Sequence, residues 1–195
     1  MSEFDYKIIS ISGNARVGKD TMGNNLSLIL AEFGIKTKTL SFANELKESV
    51  NKFLVEQTGI SAFTDDDNEK STIRPFLVCW GTDIMRKIDN KVWINKLENN
   101  LEKDCVNIIT DLRFTNELEW LKENKGFSIM LDRQGVEPAN TYEVINNSEM
   151  SNNVDLNFSV GNFEDKKLLE LTAVEILDKL INKETFDLWK ATCPL

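Results

Sequence analysis

The sequence predicts an α/β fold, a mainly parallel sheet flanked by helices, and three observations carry that expectation. Short β-like runs alternate with amphipathic helical segments along the chain. A glycine-bearing loop, Gly13-Asn14-Ala15-Arg16-Val17-Gly18, joins an apolar run to a helix-like segment. Val106–Thr110 (VNIIT) has the continuous apolar character of a buried strand. With 195 residues, 41% of them hydrophobic and 28% charged, the chain is expected to form one domain over 1–195 with a substantial core.

Taken in order, Lys7–Ser12 reads as the first strand, because Ile8, Ile9 and Ile11 are β-branched and apolar. Met22, Leu26, Ile29, Leu30 and Phe33 then share one helical face, and Gly34 supplies a stop. Thr37–Phe42 reads as a second strand, and Leu46, Val50, Phe53 and Leu54 as the apolar face of another helix. Gly59–Ser71 breaks the rhythm: Asp65-Asp66-Asp67-Asn68-Glu69 reads as a solvated acidic loop rather than a calcium site, since EF-hand spacing is missing. Ile73–Leu101 looks helical in two pieces, broken around Asp89-Asn90. The strand 106–110 ends at Asp111, and Thr115 or Asn116 is expected to cap a short helix bearing Leu118 and Leu121. Phe127–Leu131 and Leu156–Val160 are further strands, separated by a polar, Asn-rich stretch, Arg133–Asn153, of the length lids and binding loops have. A last helix is expected over about Glu164–Ile181, followed by a tail, Thr185–Leu195, that includes Trp189.

The loop carries the chemistry. Glycines at 13 and 18 let the backbone curl so that its N–H groups point inward, Lys19 adds an ammonium group, and the next helix presents its positive dipole end. Such a nest suits a polyphosphate. Asp20 stands where Ser or Thr usually follows the lysine, with Thr21 next, so magnesium is expected on Asp20 and Thr21, directly or through water. The alternative is an ordinary strand–helix turn with a surface lysine.

Composition excludes several classes. A net charge of −9 argues against a nucleic-acid backbone as the main partner. Three cysteines without CxxC spacing (Cys79, Cys105, Cys193) indicate neither a disulfide framework nor a zinc site. With no histidine in the chain, catalysis must run on carboxylates, cations, backbone and metal. The acidic start, Met1-Ser2-Glu3-Phe4-Asp5, lacks a signal-peptide core and no run has membrane-spanning length, so a cytoplasmic location is the expectation. A homodimer is compatible with all of this.

Ligands of open α/β sheets bind beyond the carboxyl ends of the strands. That rule brings together the loop, Ser41-Phe42-Ala43, and Thr110-Asp111-Leu112-Arg113. Asp111 then faces metal or phosphate-bound water, and Arg113 reaches a transferring phosphoryl group. The alternative is that the two pair with each other or cap the next helix. Arg74, Trp80, Asp83 and Arg86 form a second cluster fit to grip a monophosphate and stack on a base, against a plainer reading as core aromatics and surface charges.

At these segments the sequence resembles the deoxynucleoside monophosphate kinases of bacterial viruses, within the P-loop nucleoside monophosphate kinases. The matching pieces are Ser12-Gly13 with Arg16-Val17-Gly18-Lys19-Asp20-Thr21, then Leu40-Ser41-Phe42-Ala43-Asn44-Glu45-Leu46-Lys47. Trp80-Gly81-Thr82-Asp83 with Trp93, Asp111-Leu112-Arg113-Phe114-Thr115-Asn116-Glu117, and more weakly Leu131-Asp132-Arg133 with Asn147-Ser148-Glu149, follow in the same order. Asp after the loop lysine is typical of that family. Where the family often has His shortly before the Ser-Glu pair, this chain has Asn146-Asn147, and it is shorter than some members, mostly in the acceptor-covering segment.

The resemblance implies a three-layer P-loop kinase fold with a helical acceptor-binding insertion at about 43–103 and a lid at about 133–153. It implies transfer of the ATP γ-phosphoryl group to a deoxynucleoside 5′-monophosphate, with Mg2+. Gly13, Asn14, Ala15, Arg16, Val17, Gly18, Lys19, Asp20 and Thr21 would hold the triphosphate and its metal. Lys19, Arg113, Asp111 and Arg133 would be the catalytic residues: Lys19 in the triphosphate cradle, Arg113 and, from the lid, Arg133 neutralising charge on the transferred group, and Asp111 orienting metal-bound water or the acceptor phosphate. Lys47, Arg74, Trp80, Asp83 and Arg86 would hold the acceptor. Rival readings are another P-loop kinase, such as one for dephospho-coenzyme A or a small molecule, a kinase of modified bases in DNA, and a non-catalytic ATP-binding protein.

Overall fold

A computed structural model describes residues 7–138, 141–160 and 166–180. The expectations for Met1–Asp5, Cys193 and the Trp189-containing tail lie outside those residues, as do both ends of the expected last helix. Two compact units form, one from the residues up to Thr39 together with those from Glu102 onward, the other from Leu40–Leu101.

The first unit is built on a five-stranded sheet of β1 (Ile8–Gly13), β2 (Thr37–Leu40), β3 (Val106–Leu112), β4 (Phe127–Arg133) and β5 (Leu156–Val160), in the order β2-β3-β1-β4-β5. β1 runs parallel to both β3 and β4, and β4 parallel to β5. Lying at the centre, β1 is buried throughout, which is why its sequence is so apolar. Its side chains alternate. Ile9 and Ile11 join a core with Met22, Leu26 and Leu30 of α1 (Lys19–Glu32) and Ile176 and Leu177 of α8 (Lys166–Leu180). α6 (Thr115–Glu123) packs against β4 and buries Leu118, Trp120 and Leu121. The flanked parallel sheet is the fold class the sequence predicts.

The second unit is helical: α2 (Phe42–Thr58), α3 (Asp67–Val78), a π-helical turn (Cys79–Met85), α4 (Arg86–Ile88) and α5 (Val92–Glu98). Val50, Leu54, Ala62 and Ile73 form one core cluster in it, with Trp80 packed against them, and Trp93, Ile94 and Leu97 of α5 are buried as well.

Several local expectations are corrected. β2 ends at Leu40, because the Ser41 side chain accepts from the Asn44 N–H and caps α2, so Phe42 is helical. Phe53 is 54% exposed and stacks on Phe76 at 5.8 Å rather than joining the core. The acidic loop is shorter than expected, since Asp66 accepts from the Asn68 and Glu69 N–H groups and starts α3 inside the run. Acidic residues there suit a helix N-terminus as well as they suit solvent. Trp80-Gly81-Thr82-Asp83 forms a π-helical turn that continues α3, and the helical stretch breaks between Ile88 and Val92, around Asp89-Asn90 as expected. A side chain at Gly81 would fall 2.0 Å from Leu46 Cδ1, so glycine permits that packing.

Asp111 lies within β3, one residue before its end. Neither Thr115 nor Asn116 caps α6: Phe114 occupies that position, and Glu117 reaches back to accept from the Arg113 and Phe114 N–H groups. The polar stretch contains a helix, α7 (Thr141–Ser151), and Arg133 is the last residue of β4 rather than part of a loop. Among the described residues no helix is long and apolar enough to cross a membrane.

Candidate active site at the β1–α1 loop

The loop leaving β1 is shaped by three residues in the left-handed region, Gly13 (φ 129°), Arg16 (φ 66°) and Gly18 (φ 98°). At Gly13 a Cβ would sit 2.2 Å from the Leu131 carbonyl oxygen, so both backbone angle and space require glycine. Val17 is buried and anchors the loop, and Asn14 Nδ2 donates to the Val136 carbonyl at 3.1 Å.

Lys19 opens α1 and is only 8% exposed. Its ammonium donates to the carbonyls of Gly13 (3.0 Å) and Asn14 (2.7 Å), so the cation lies folded along the loop. Burial, helped by the nearby positive charge of Arg113, lowers its pKa to about 8, while the carboxylates of Glu143, Asp20 and Asp111 pull the other way. Desolvation wins over three acidic neighbours.

Asp20 accepts from Thr110 Oγ1 at 2.7 Å, which ties the first turn of α1 to β3. Thr21 is exposed beside it, and Asp111 is half-buried. Arg113, at the end of β3, has 44% of its side chain exposed and pairs through Nη1 with Glu143 Oε1 at 2.9 Å. Arg133 lies at the same sheet edge, two residues beyond Leu131, the register partner of Gly13. The structure thus brings Gly13–Thr21, Asp111 and Arg113 around one loop.

The remaining expected residues all lie in the helical unit. Lys47 Nζ stands 5.5 Å above the Phe63 ring. Arg74 is exposed on α3, Trp80 Nε1 donates to Ser49 Oγ at 3.2 Å, Asp83 is 3.9 Å from Lys87, and Arg86 is half-buried at the start of α4. Of Trp80 and Trp93, only Trp93 is a fully buried core residue, donating to the Gly81 carbonyl at 3.1 Å.

Sequence reasoning missed Glu143, and it placed Thr110 and Glu117 in the segments it singled out without giving either a role; the structure ties Thr110 to Asp20 and Glu117 to the backbone of Arg113 and Phe114. Glu143 had no local signal at all. Among the described residues no cluster of three or more His, Cys, Asp or Glu side chains forms a protein-only metal cage. A magnesium ion held mainly by phosphates needs only one or two carboxylates, and Asp20, Asp111 and the Thr21 hydroxyl fit that donor set.

Sheet order, left-handed loop and buried lysine define a P-loop kinase by class. The chain belongs to the phosphomevalonate kinase family, whose profile matches residues 11–127, more than half of its length. It is also 29% identical, over 157 residues, to a protein of Acanthamoeba polyphaga mimivirus that is named as a deoxynucleotide monophosphate kinase, covering 69% of this chain and 78% of that one. Similar solved structures include shikimate kinase from Bacteroides thetaiotaomicron, with 16% identity, 89% and 96% of the two chains covered and a TM-score of 0.49. Thymidylate kinase from Ehrlichia chaffeensis aligns with 13% identity, 88% and 98% coverage and a TM-score of 0.45.

Proposed function

We propose that this protein transfers the γ-phosphoryl group of ATP to the phosphate of a small molecule, and that the acceptor is a deoxynucleoside 5′-monophosphate. The observation that carries the reading is the loop Gly13–Gly18 with Lys19 buried behind it and Arg113 beside it. An acceptor phosphate oxygen attacks the γ-phosphorus, the bond to the β,γ-bridging oxygen breaks, and ADP leaves with that oxygen. The nucleophile is already an anion, so no general base is required and the missing histidine is no obstacle. Positioning and charge neutralisation suffice.

In this reading the loop amides and Lys19 hold the triphosphate, with Arg16 alongside. Arg113 and Arg133 offset charge on the transferred group. Asp20 and Thr21 hold magnesium, which screens the phosphate charges when bound, and Asp111 orients metal-bound water or the acceptor phosphate. Lys47, Arg74, Trp80, Asp83 and Arg86 of the helical unit bind the acceptor. The sequence resemblance and the mimivirus relative favour a deoxynucleotide. A second reading, a non-nucleotide phosphate such as phosphomevalonate, is favoured by the family profile over residues 11–127. Both names denote an acceptor that already carries a phosphate.

The test is ATP with a panel of deoxynucleoside and ribonucleoside monophosphates, phosphomevalonate, dephospho-coenzyme A and free nucleosides, with products read by chromatography. Diphosphate from a deoxynucleoside monophosphate is the expected product. Lys19→Ala should lower turnover by about a hundredfold or more while the fold is kept. Near-wild-type turnover in that variant would refute the assignment, and ATP binding without transfer to any acceptor would leave a non-catalytic nucleotide-binding protein.

A further inference from the structure

We propose that Glu143 on α7 is a built-in competitor for the phosphate nest: its carboxylate takes the hydrogen-bond donors a triphosphate oxygen needs, so nucleotide binding must displace it. This deepens the reading of Gly13–Gly18 as a phosphate loop and rests on it. Glu143 is 8% exposed, and a carboxylate so buried requires charged or hydrogen-bonding partners. Two of these lie on the nest. Oε2 accepts from the loop N–H of Ala15 at 3.3 Å, and Oε1 accepts from Arg113 Nη1 at 2.9 Å. Its charge also acts on the Lys19 ammonium. An amide and a guanidinium that donate to one anion, with an ammonium charge acting on it, are the kind of group that binds phosphate oxygens.

The carboxylate is delivered from 128 residues away in the chain. A second tie holds α7 to the same loop: Asn147 Nδ2 donates to Asn14 Oδ1 at 2.6 Å. Buried Met150 completes its seating. An incoming phosphate that captures the Ala15 N–H and Arg113 therefore takes these two contacts from Glu143 and loosens α7. By linkage, whatever Glu143 contributes to holding α7 is subtracted from triphosphate affinity. The plainer alternative is that Glu143 only positions Arg113, in which case its loss would weaken phosphate binding or leave it unchanged.

The experiment measures affinity for inorganic pyrophosphate and for a non-hydrolysable ATP analogue by calorimetry. It compares the full chain with Glu143→Gln, Glu143→Ala, Lys19→Ala and, as a control for net charge, Glu119→Gln on the exposed side of α6. Glutamine keeps the shape of the side chain, so Glu143→Gln guards against a loss of fold in the alanine variant, and melting temperature checks both. Glu143→Gln should bind both ligands about tenfold tighter than the parent, with Glu119→Gln matching the parent. In the parent, pyrophosphate should speed hydrogen exchange of the α7 amides and leave those of β1 protected. Equal or weaker binding by Glu143→Gln, with binding by the parent intact and dependent on Lys19, would overturn the competitor while sparing the phosphate loop. Absence of binding in the parent, or binding indifferent to Lys19→Ala, would overturn the phosphate-loop reading and the competitor with it.

Discussion

Two requirements meet on Lys19 and oppose each other. The proposed phosphate binding needs its positive charge, whereas burial behind the loop favours the neutral amine and brings its pKa to about 8. In the free protein, triphosphate affinity should therefore fall as pH rises through about 8, far below the range of an ordinary lysine. A pH series of binding constants checks this, and a constant affinity up to about pH 10 would contradict it. Stability should move the opposite way. Between about 8 and the unfolded value the unfolded chain holds more protons than the folded one, so folding stability gains with rising pH. Urea unfolding at both ends of that window, referenced to Lys19→Met, isolates the effect from the rest of this acidic chain. At this scale the sequence is a good guide wherever a residue acts through its immediate neighbours. Gly13, Gly18 and Lys19 are legible because the loop geometry they serve is local. Glu143 is not, because what makes it matter is Ala15 and Arg113, neither of them near it in the chain.

At the scale of elements, helix starts are where local reading and structure part most often. Ser41 and Asp66 each cap a helix, ending a strand and an acidic loop earlier than their composition suggests. α6 starts differently: Glu117, fully buried, accepts from the N–H groups of Arg113 and Phe114 and so fixes the path on which Arg113 leaves β3. Glu117→Ala should cost about 2 kcal/mol of stability, since it strands two amides and removes a charge-assisted contact. It should also lower the catalytic rate through Arg113. Denaturant unfolding and turnover measured together test both effects, and a variant as stable as the parent would count against this role. α7 was unreadable for another reason. Its Asn-rich sequence has weak helix propensity, so tertiary contacts through Glu143, Asn147 and Met150 decide it.

Over the whole molecule, the net charge of −9 makes a general attraction to nucleic acid unfavourable. In the proposed function a local cationic loop serves a nucleotide without changing that balance. The protein should show no retention on duplex DNA at low salt, read by gel shift, while still binding ATP; tight, salt-sensitive retention would instead favour a kinase of bases within DNA. Alternating strands and helices, the loop after the first strand and the buried run before Asp111 were fixed by sequence alone, because periodicity, β-branching and glycine geometry are local properties. The order of the strands, the π-helical turn around Gly81 and the arrival of the Glu143 carboxylate of α7 at the β1–α1 loop were decided only in three dimensions. Each depends on packing between residues far apart in the chain, and such contacts leave no period or motif in either partner.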